Sequence, residues 1–223
     1  MRKYIKNRLS IIIPTYNEAN NIIGLTKEII DLMKDRDHEI LIVDDGSTDS
    51  TVKNIFDHFN DNKNIKVFQR EYDRGLLQSI KFALQSMTGE YFVVMDADGQ
   101  HAPTDINSLV GNLDNHDLVI GVRDLKNLTQ VSSKRAFFSK LINKILKFIL
   151  SVKISDPLTG FFAGKISLLN SKFFLLANSG FKVLLDLIFS NKKKNIKIFE
   201  KKILFGTREK GYSKLNSQVA FSF

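Results

Sequence analysis

Five short apolar runs in the first 120 residues limit this chain to very few folds. They cover residues 9–13, 39–43, 65–68, 91–95 and 118–120. Runs this short, rich in β-branched and aromatic residues and mostly without polar alternation, mark strands buried on both faces. Between them the apolar residues recur at helical spacing. Ile22, Ile23, Ile29, Ile30 and Met33 predict a helix over 19–34. Val52, Ile55, Phe56 and Phe59 predict a second behind an Asp49 or Ser50 cap, and Leu76, Ile80, Ala83, Leu84 and Met87 a third. A short fourth is expected over 103–113, with Pro103 in its first turn. Buried strands alternating with amphipathic helices predict an α/β fold, a mainly parallel sheet with helices on both faces.

Sheets of this kind bind ligands beyond the carboxyl ends of their strands. Pro14-Thr15-Tyr16-Asn17-Glu18 follows the first run, Asp44-Asp45-Gly46-Ser47 the second, and Asp96-Ala97-Asp98-Gly99-Gln100 the fourth. Three carboxylate-bearing loops should therefore converge on one edge. In Asp96-Ala97-Asp98 both carboxylates leave the same side of extended backbone, so both can reach one hard divalent ion, and Gln100 can add an amide oxygen. Mg²⁺ or Mn²⁺ would take the rest of its shell from water and substrate phosphates. The chain has no cysteine, which removes disulfides, thiolate zinc sites and a Cys nucleophile. His38, His58, His101 and His116 show no paired metal-ligand spacing, and only His101 stands near the acidic loops. Neither GxGxxG nor GxxxxGK[ST] occurs, so dinucleotide and P-loop readings lose their support.

Charge divides the chain. Residues 1–122 hold 13 Lys and Arg against 19 Asp and Glu, whereas residues 123–223 hold 20 against 5, together with 13 of the 18 Phe. A basic, Phe-rich half beside an acidic one points to an anionic ligand, a membrane or nucleic acid. Arg123, Arg135, Arg208 and Lys214 are the basic residues placed for phosphate, Arg by a bidentate fork and Lys as a point charge. Residues 134–153 read as an amphipathic helix, Lys140, Lys144 and Lys147 on one face and Phe137, Phe138, Leu141, Ile142, Ile145, Phe148 and Ile149 on the other. That apolar face would either pack on the sheet or sit in a lipid headgroup boundary. A break at Ser155–Gly160, an apolar stretch over 161–189 and a strand over 196–199 complete the reading. No flexible linker separates the halves, so one domain over 1–223 is expected, with an acidic half over 1–122 that can hold a metal and a basic half over 123–223 that can meet phosphate or a membrane.

Together, Pro14-Thr15-Tyr16-Asn17-Glu18, Val43-Asp44-Asp45-Gly46-Ser47, Asp96-Ala97-Asp98, Gly121-Val122-Arg123 and the pair Arg208 and Ser213-Lys214 resemble inverting family 2 glycosyltransferases of the GT-A fold. Asp96 to His101, Asp156-Pro157-Leu158-Thr159-Gly160-Phe161-Phe162 and the basic ending are similar, more narrowly, to the polyprenyl-phosphate sugar transferases, dolichol-phosphate mannose synthases among them. The resemblance spans roughly residues 9–214. It implies that Pro14, Tyr16, Glu18, Val43 and Asp45 cradle a nucleoside, with Asp44 beside them. It implies a metal on Asp96, Asp98 and Gln100, Ala97 against the nucleotide, and Arg123, Arg208 and Lys214 on donor phosphates. Arg135 would take the acceptor phosphate, and Asp98, Arg123 and Arg135 would carry the catalysis. Asp156 is expected to orient an Arg or backbone groups rather than to act as a base.

The implied reaction passes a hexose, mannose from GDP-mannose first and glucose from UDP-glucose second, to a polyprenyl phosphate with inversion. Two rivals are kept: a family 2 transferase acting on a sugar hydroxyl, and a basic nucleic-acid-binding module, for which no recognition helix or stacking platform is found. The sequence does not open on a secretory signal, has no run of 18 apolar residues and ends without transmembrane hairpins. The expected place is the cytoplasmic face of a membrane, held peripherally by the amphipathic surface or by a membrane-anchored partner protein. Tyr72-Asp73-Arg74-Gly75-Leu76-Leu77 is bulkier than the small-residue pattern usual at that point of the family.

Overall fold

The computed structural model describes residues 4–123, 154–157, 159–176, 183–204 and 206. Its strands are β1 (Ile5–Thr15), β2 (His38–Asp44), β3 (Ile65–Gln69), β4 (Gly89–Val94), β5 (Leu118–Arg123), β6 (Phe162–Lys165) and β7 (Ile198–Ile203). The helices are α1 (Ile22–Met33), α2 (Thr51–Phe59), α3 (Leu76–Ser86), α4 (Asp105–Gly111), α5 (Ser171–Leu175) and α6 (Val183–Ser190). All seven strands form one sheet in the order β3-β2-β1-β4-β6-β5-β7. Among the described residues only β6 runs against its neighbours; β4 and β5 each pair with it antiparallel, and the other strand pairs are parallel. The chain is thus α/β with a mostly parallel sheet, as the alternating pattern predicts.

Strand side chains alternate between two cores. Leu9, Ile11, Ile13, Ile40, Ile42 and Val93 face the layer containing α1, α2 and α4. Ile12, Leu41, Val43, Phe92 and Val94 face the layer containing α3, α5 and α6. Each of these is fully buried, worth roughly 1.5–3 kcal/mol per large apolar side chain. Burial on both faces is why the strands read as continuous apolar runs. At the amino-terminal edge, the buried Glu39 carboxylate accepts from Ser10 Oγ (2.6 Å), Lys66 Nζ (2.7 Å) and Thr88. Burial alone would raise its pKa, but hydrogen bonds from Lys66, Ser10 and Thr88 outweigh that and hold it below the ordinary glutamate value.

Two differences from the sequence reading have local causes. Helix α1 starts at Ile22 rather than at 19, because the Glu18 carbonyl accepts from both Asn21 and Ile22 N–H (3.0 Å each) and closes a turn first. Strand β7 runs to Ile203, four residues past the expected end, because the half-buried Glu200 and Lys201 and the exposed Lys202 lie on an edge strand where charged side chains reach water. Among its described residues, the apolar stretch 161–189 contains β6, a 3₁₀ turn, α5 and all but the last residue of α6. The helix expected over 134–153 lies outside the described residues. Among the described residues no helix is long and apolar enough to cross a membrane.

Candidate active site

The register aligns Pro14 with Val43 and Thr15 with Asp44, so the loops after β1 and β2 leave the sheet side by side. Asp44 is fully buried and turned into its own loop. Its Oδ1 accepts N–H from Gly46 (3.1 Å) and Ser47 (2.9 Å), and its Oδ2 accepts from the Thr15 hydroxyl (3.3 Å) and from Ser47 Oγ. Asp44 therefore builds the turn. Asn17, at φ 53°, ties the two loops: its N–H donates to Ser47 Oγ (2.8 Å) and its amide oxygen accepts from Thr48 N–H (2.8 Å). Asn is among the few residues that tolerate this left-handed conformation. Glu18 follows, its N–H on Thr51 Oγ1 and its carboxylate accepting from Asn21 Nδ2, both at 2.8 Å. Tyr16 is left 43% exposed at the mouth.

Asp45 holds a third loop. Its Oδ1 accepts from Arg70 Nη1 (3.4 Å) and Ser79 Oγ (3.2 Å), and its Oδ2 from Gly75 N–H (2.7 Å). Arg70 also donates to Ser79 Oγ (3.1 Å) and to the carbonyls of Tyr72 (3.4 Å) and Asp73. The bulky loop 70–75 is thus pinned to the acidic turn through one carboxylate.

Beyond β4 the chain turns at Gly99 (φ 75°). The Asp96 side chain is 36% exposed and its Oδ2 lies 3.7 Å from His101 Nε2. His101 is buried, its ring 4.9 Å from that of Phe161. Gly160 lies so close that a Cβ there would run into the Asp96 carboxylate. Asp98 is buried, with Oδ1 accepting Gln100 N–H at 3.1 Å. Gly206, just past β7, donates its N–H to the Gln100 carbonyl (2.9 Å). Among the described residues no group of three His, Cys, Asp or Glu gathers as a metal cage. Two carboxylates and an amide instead fit a hard ion that keeps waters and shares a substrate's phosphate oxygens.

β5 ends at Arg123, whose guanidinium forks onto Asp156: Nε to Oδ2 at 2.6 Å and Nη2 to Oδ1 at 2.9 Å. Asp156 is 4% exposed, and its backbone is held by Ser155, whose hydroxyl donates to Glu200 on β7 (2.6 Å). Both Asp156 oxygens are engaged, which suits a residue that aims Arg123 and not one that collects a proton. An Asp156→Asn variant gives up one charge-assisted hydrogen bond, worth about 1.5–3 kcal/mol, and so should lose roughly ten- to a hundredfold in activity. The acid limb of its pH–rate profile should be unchanged; loss of that limb would mark Asp156 as the base. Arg135, Arg208 and Lys214 lie outside the described residues.

The family model for glycosyl transferase family 2 matches residues 10–173 of this sequence. The chain belongs to that family. Within it, a dolichol-phosphate mannosyltransferase of Pyrococcus furiosus is 32% identical over 97% of this chain. The chain spans 61% of that relative's length. A dolichol-phosphate mannosyltransferase of Saccharomyces cerevisiae is 28% identical over 96% of this chain and 83% of its own. Among solved structures, glucosyl-3-phosphoglycerate synthase of Mycobacterium tuberculosis, bound to Mn²⁺, UDP and glucosyl-3-phosphoglycerate, superposes with a TM-score of 0.67 at 17% identity, covering 92% of this chain and 73% of that one. Mannosyl-3-phosphoglycerate synthase of Rubrobacter xylanophilus gives 0.69 at 18% identity, covering 96% and 70%. These likenesses establish the GT-A fold of this family 2 transferase chain.

The topology puts the described motifs of the family 2 chain on one edge. The parallel strands β1, β2, β4 and β5 end there, and the reversed β6 begins there, so Asp156–Gly160 arrives beside Asp96. Sequence reading missed Arg70, Ser79, Asn17 and Gly160. Asn17 carried a signal, an Asn between two strand-end loops. The pairing of Arg70 and Ser79 with Asp45 spans 25 and 34 positions and left none.

Proposed function

We propose that this chain transfers a hexose, mannose from GDP-mannose first, to a polyprenyl phosphate with inversion at the sugar C1. One observation carries the reading: at a single sheet edge, a partly open carboxylate pair at Asp96 and Asp98 lies beside the loop that aims Arg123. That edge offers ligands for a metal, a guanidinium for phosphate and, at Asp156, no free base. A phosphate monoester's second pKa is about 6, so the acceptor is already anionic near neutral pH and attacks C1 unaided. The new C1–O bond to the acceptor forms as the bond to the donor diphosphate breaks, and the nucleoside diphosphate leaves with both electrons. Tyr16, Glu18, Val43 and Asp45 would hold the nucleoside, Pro14 and Ala97 would shape its floor, and Asp96, Asp98 and Gln100 would hold Mg²⁺ or Mn²⁺. The bound ion would supply Lewis-acid neutralisation of the departing diphosphate. Arg123, with Arg208 and Lys214, would grip the donor phosphates and Arg135 the acceptor phosphate. Support comes from the two dolichol-phosphate mannosyltransferases, similar over nearly all of this chain, and from Mn²⁺ and UDP in the mycobacterial neighbour.

The acceptor is a membrane lipid, so the domain would work peripherally, at the cytoplasmic face, with the basic half toward the headgroups. The decisive assay supplies radiolabelled GDP-mannose or UDP-glucose, polyprenyl phosphate and Mg²⁺ or Mn²⁺. Label should pass into an organic-extractable, mild-acid-labile product. Label on a soluble sugar alone would replace this reading with transfer to a hydroxyl.

A further inference from the structure

One cation beside the site has no part in the scheme above. Arg74 lies in the loop pinned to Asp45, and its guanidinium sits directly on Gly46. A Cβ at Gly46 would be 2.5 Å from Arg74 Cζ, 2.6 Å from Nη2 and 2.8 Å from Nε. Gly46 has φ 81°, so the turn needs glycine for its backbone and, in this chain, also for the room that Arg74 occupies. Arg74 makes no hydrogen bond or ion pair with another described residue, and its side chain is exposed. Its neighbour Arg70, by contrast, is 10% exposed and spends its donors on Asp45, Ser79 and the loop carbonyls. The loop is therefore fixed by Arg70 and Gly75, and Arg74 is the guanidinium it presents.

Position in the sheet says which part of a nucleotide would meet it. The metal-type carboxylates follow β4, whereas Gly46 follows β2, and β1 lies between them. Two strand spacings put these loops about 10 Å apart, roughly the reach from a nucleotide's diphosphate to its base. With the diphosphate at Asp96 and Asp98, the base falls on the β2–β3 side, where Gly46, Arg70 and Arg74 cluster. A guanidinium fork matches two adjacent acceptors, as guanine offers at O6 and N7. Adenine sets a donor beside N7, and the exposed edge of uracil has a single carbonyl.

We propose that Arg74 reads the base of the donor nucleotide and makes the site favour guanine. This rests on the nucleotide-sugar reading above and sharpens it. The test measures equilibrium binding of GDP, UDP and ADP, with Mg²⁺, to the full chain and to its Arg74→Leu and Arg74→Lys variants, with circular dichroism to confirm folding. GDP should bind the wild type about tenfold or more tighter than UDP or ADP. Arg74→Leu should lose about that factor for GDP and less than about twofold for UDP. Arg74→Lys, which keeps the charge without the fork, should fail to restore GDP binding. Equal losses for GDP and UDP, repaired by Lys, would make Arg74 a phosphate contact and overturn the proposal. So would unchanged affinities, or a wild type that prefers UDP, and both leave the transferase reading standing. A wild type that binds none of the three nucleotides would instead overturn the nucleotide-sugar reading, and this proposal with it.

Discussion

Asp98→Asn should abolish nearly all sugar transfer while leaving the fold intact. The Asp98 carboxylate is buried just beyond β4 and accepts the Gln100 N–H within its own turn. An asparagine oxygen can accept the same bond, so this turn contact survives while the charge is lost. In the proposed reaction that charge would help to hold the ion that offsets the diphosphate, a contribution of several kcal/mol, which at about 1.4 kcal/mol per decade is on the order of a thousandfold in rate. Asp96→Asn should behave alike, with an added disturbance of His101, 3.7 Å away. Transfer rates titrated against Mn²⁺, together with Mn²⁺ binding read by water proton relaxation, check both halves of the expectation. A variant that binds no Mn²⁺ yet transfers at the wild-type rate would rule out metal assistance.

The second large effect is on stability, away from the site. Lys81 on α3 and Asp186 on α6 form an ion pair at 3.4 Å with side chains 4% and 5% exposed. The ammonium also lies over the Phe173 ring, 5.1 Å from its centroid. Neither Lys81 Nζ nor Asp186 Oδ2 completes a hydrogen bond, so this is a paired but poorly satisfied charge in an apolar layer. Removing one partner strands the other: Lys81→Met or Asp186→Leu should each cost about 3–5 kcal/mol. The double variant should be as stable as wild type, or more so. Urea unfolding of the four proteins gives the double-mutant cycle, and additive losses would contradict the pairing.

The pair also sets a pH signature. Burial lowers the Lys81 pKa and raises that of Asp186, in each case only partly countered by the partner. Folded Asp186 binds its proton more tightly than the unfolded chain, so stability falls as pH rises from the unfolded value of 3.8 through the raised folded one. Folded Lys81 releases its proton early, so stability rises as pH climbs from the lowered folded value to 10.5. The double apolar variant should lack both slopes, and its gain over wild type should be greatest near neutrality.

Much of the architecture was written in periodicity. The apolar runs of β1, β2 and β4 are unbroken because both faces are covered, and the acidic motifs follow from their place at strand ends. β6 was not legible. Its sequence, Phe162-Ala163-Gly164-Lys165, is four residues long, and Gly164 is there because Phe92 needs the space; a Cβ would stand 2.6 Å from its ring. No local pattern announces such a strand. In the site, motif positions could be read but the aim of each carboxylate could not. Asp44 and Asp45 are adjacent, yet one folds into its own turn and the other holds a loop 25 to 34 residues away. The Arg123–Asp156 fork joins two motifs 33 positions apart. Such pairings are products of the sheet order, which no single window contains.

The reversed strand has a consequence for how chains of this kind can diverge. β5 and β6 are hydrogen-bonded neighbours, so the backbone that leaves β5 after Arg123 comes back into the sheet at Phe162, one strand spacing of about 5 Å from Ile120. Whatever lies between is a handle with both feet planted on adjacent strands. Loop closure changes by only about 0.6 kcal/mol for each doubling of length, so a change of length in the connection costs the sheet little, provided that Asp156, Gly160 and Phe161 keep their seats on Arg123, Asp96 and the core. Under the proposed function, acceptor choice would then be inherited with this connection, separately from the strands that precede it.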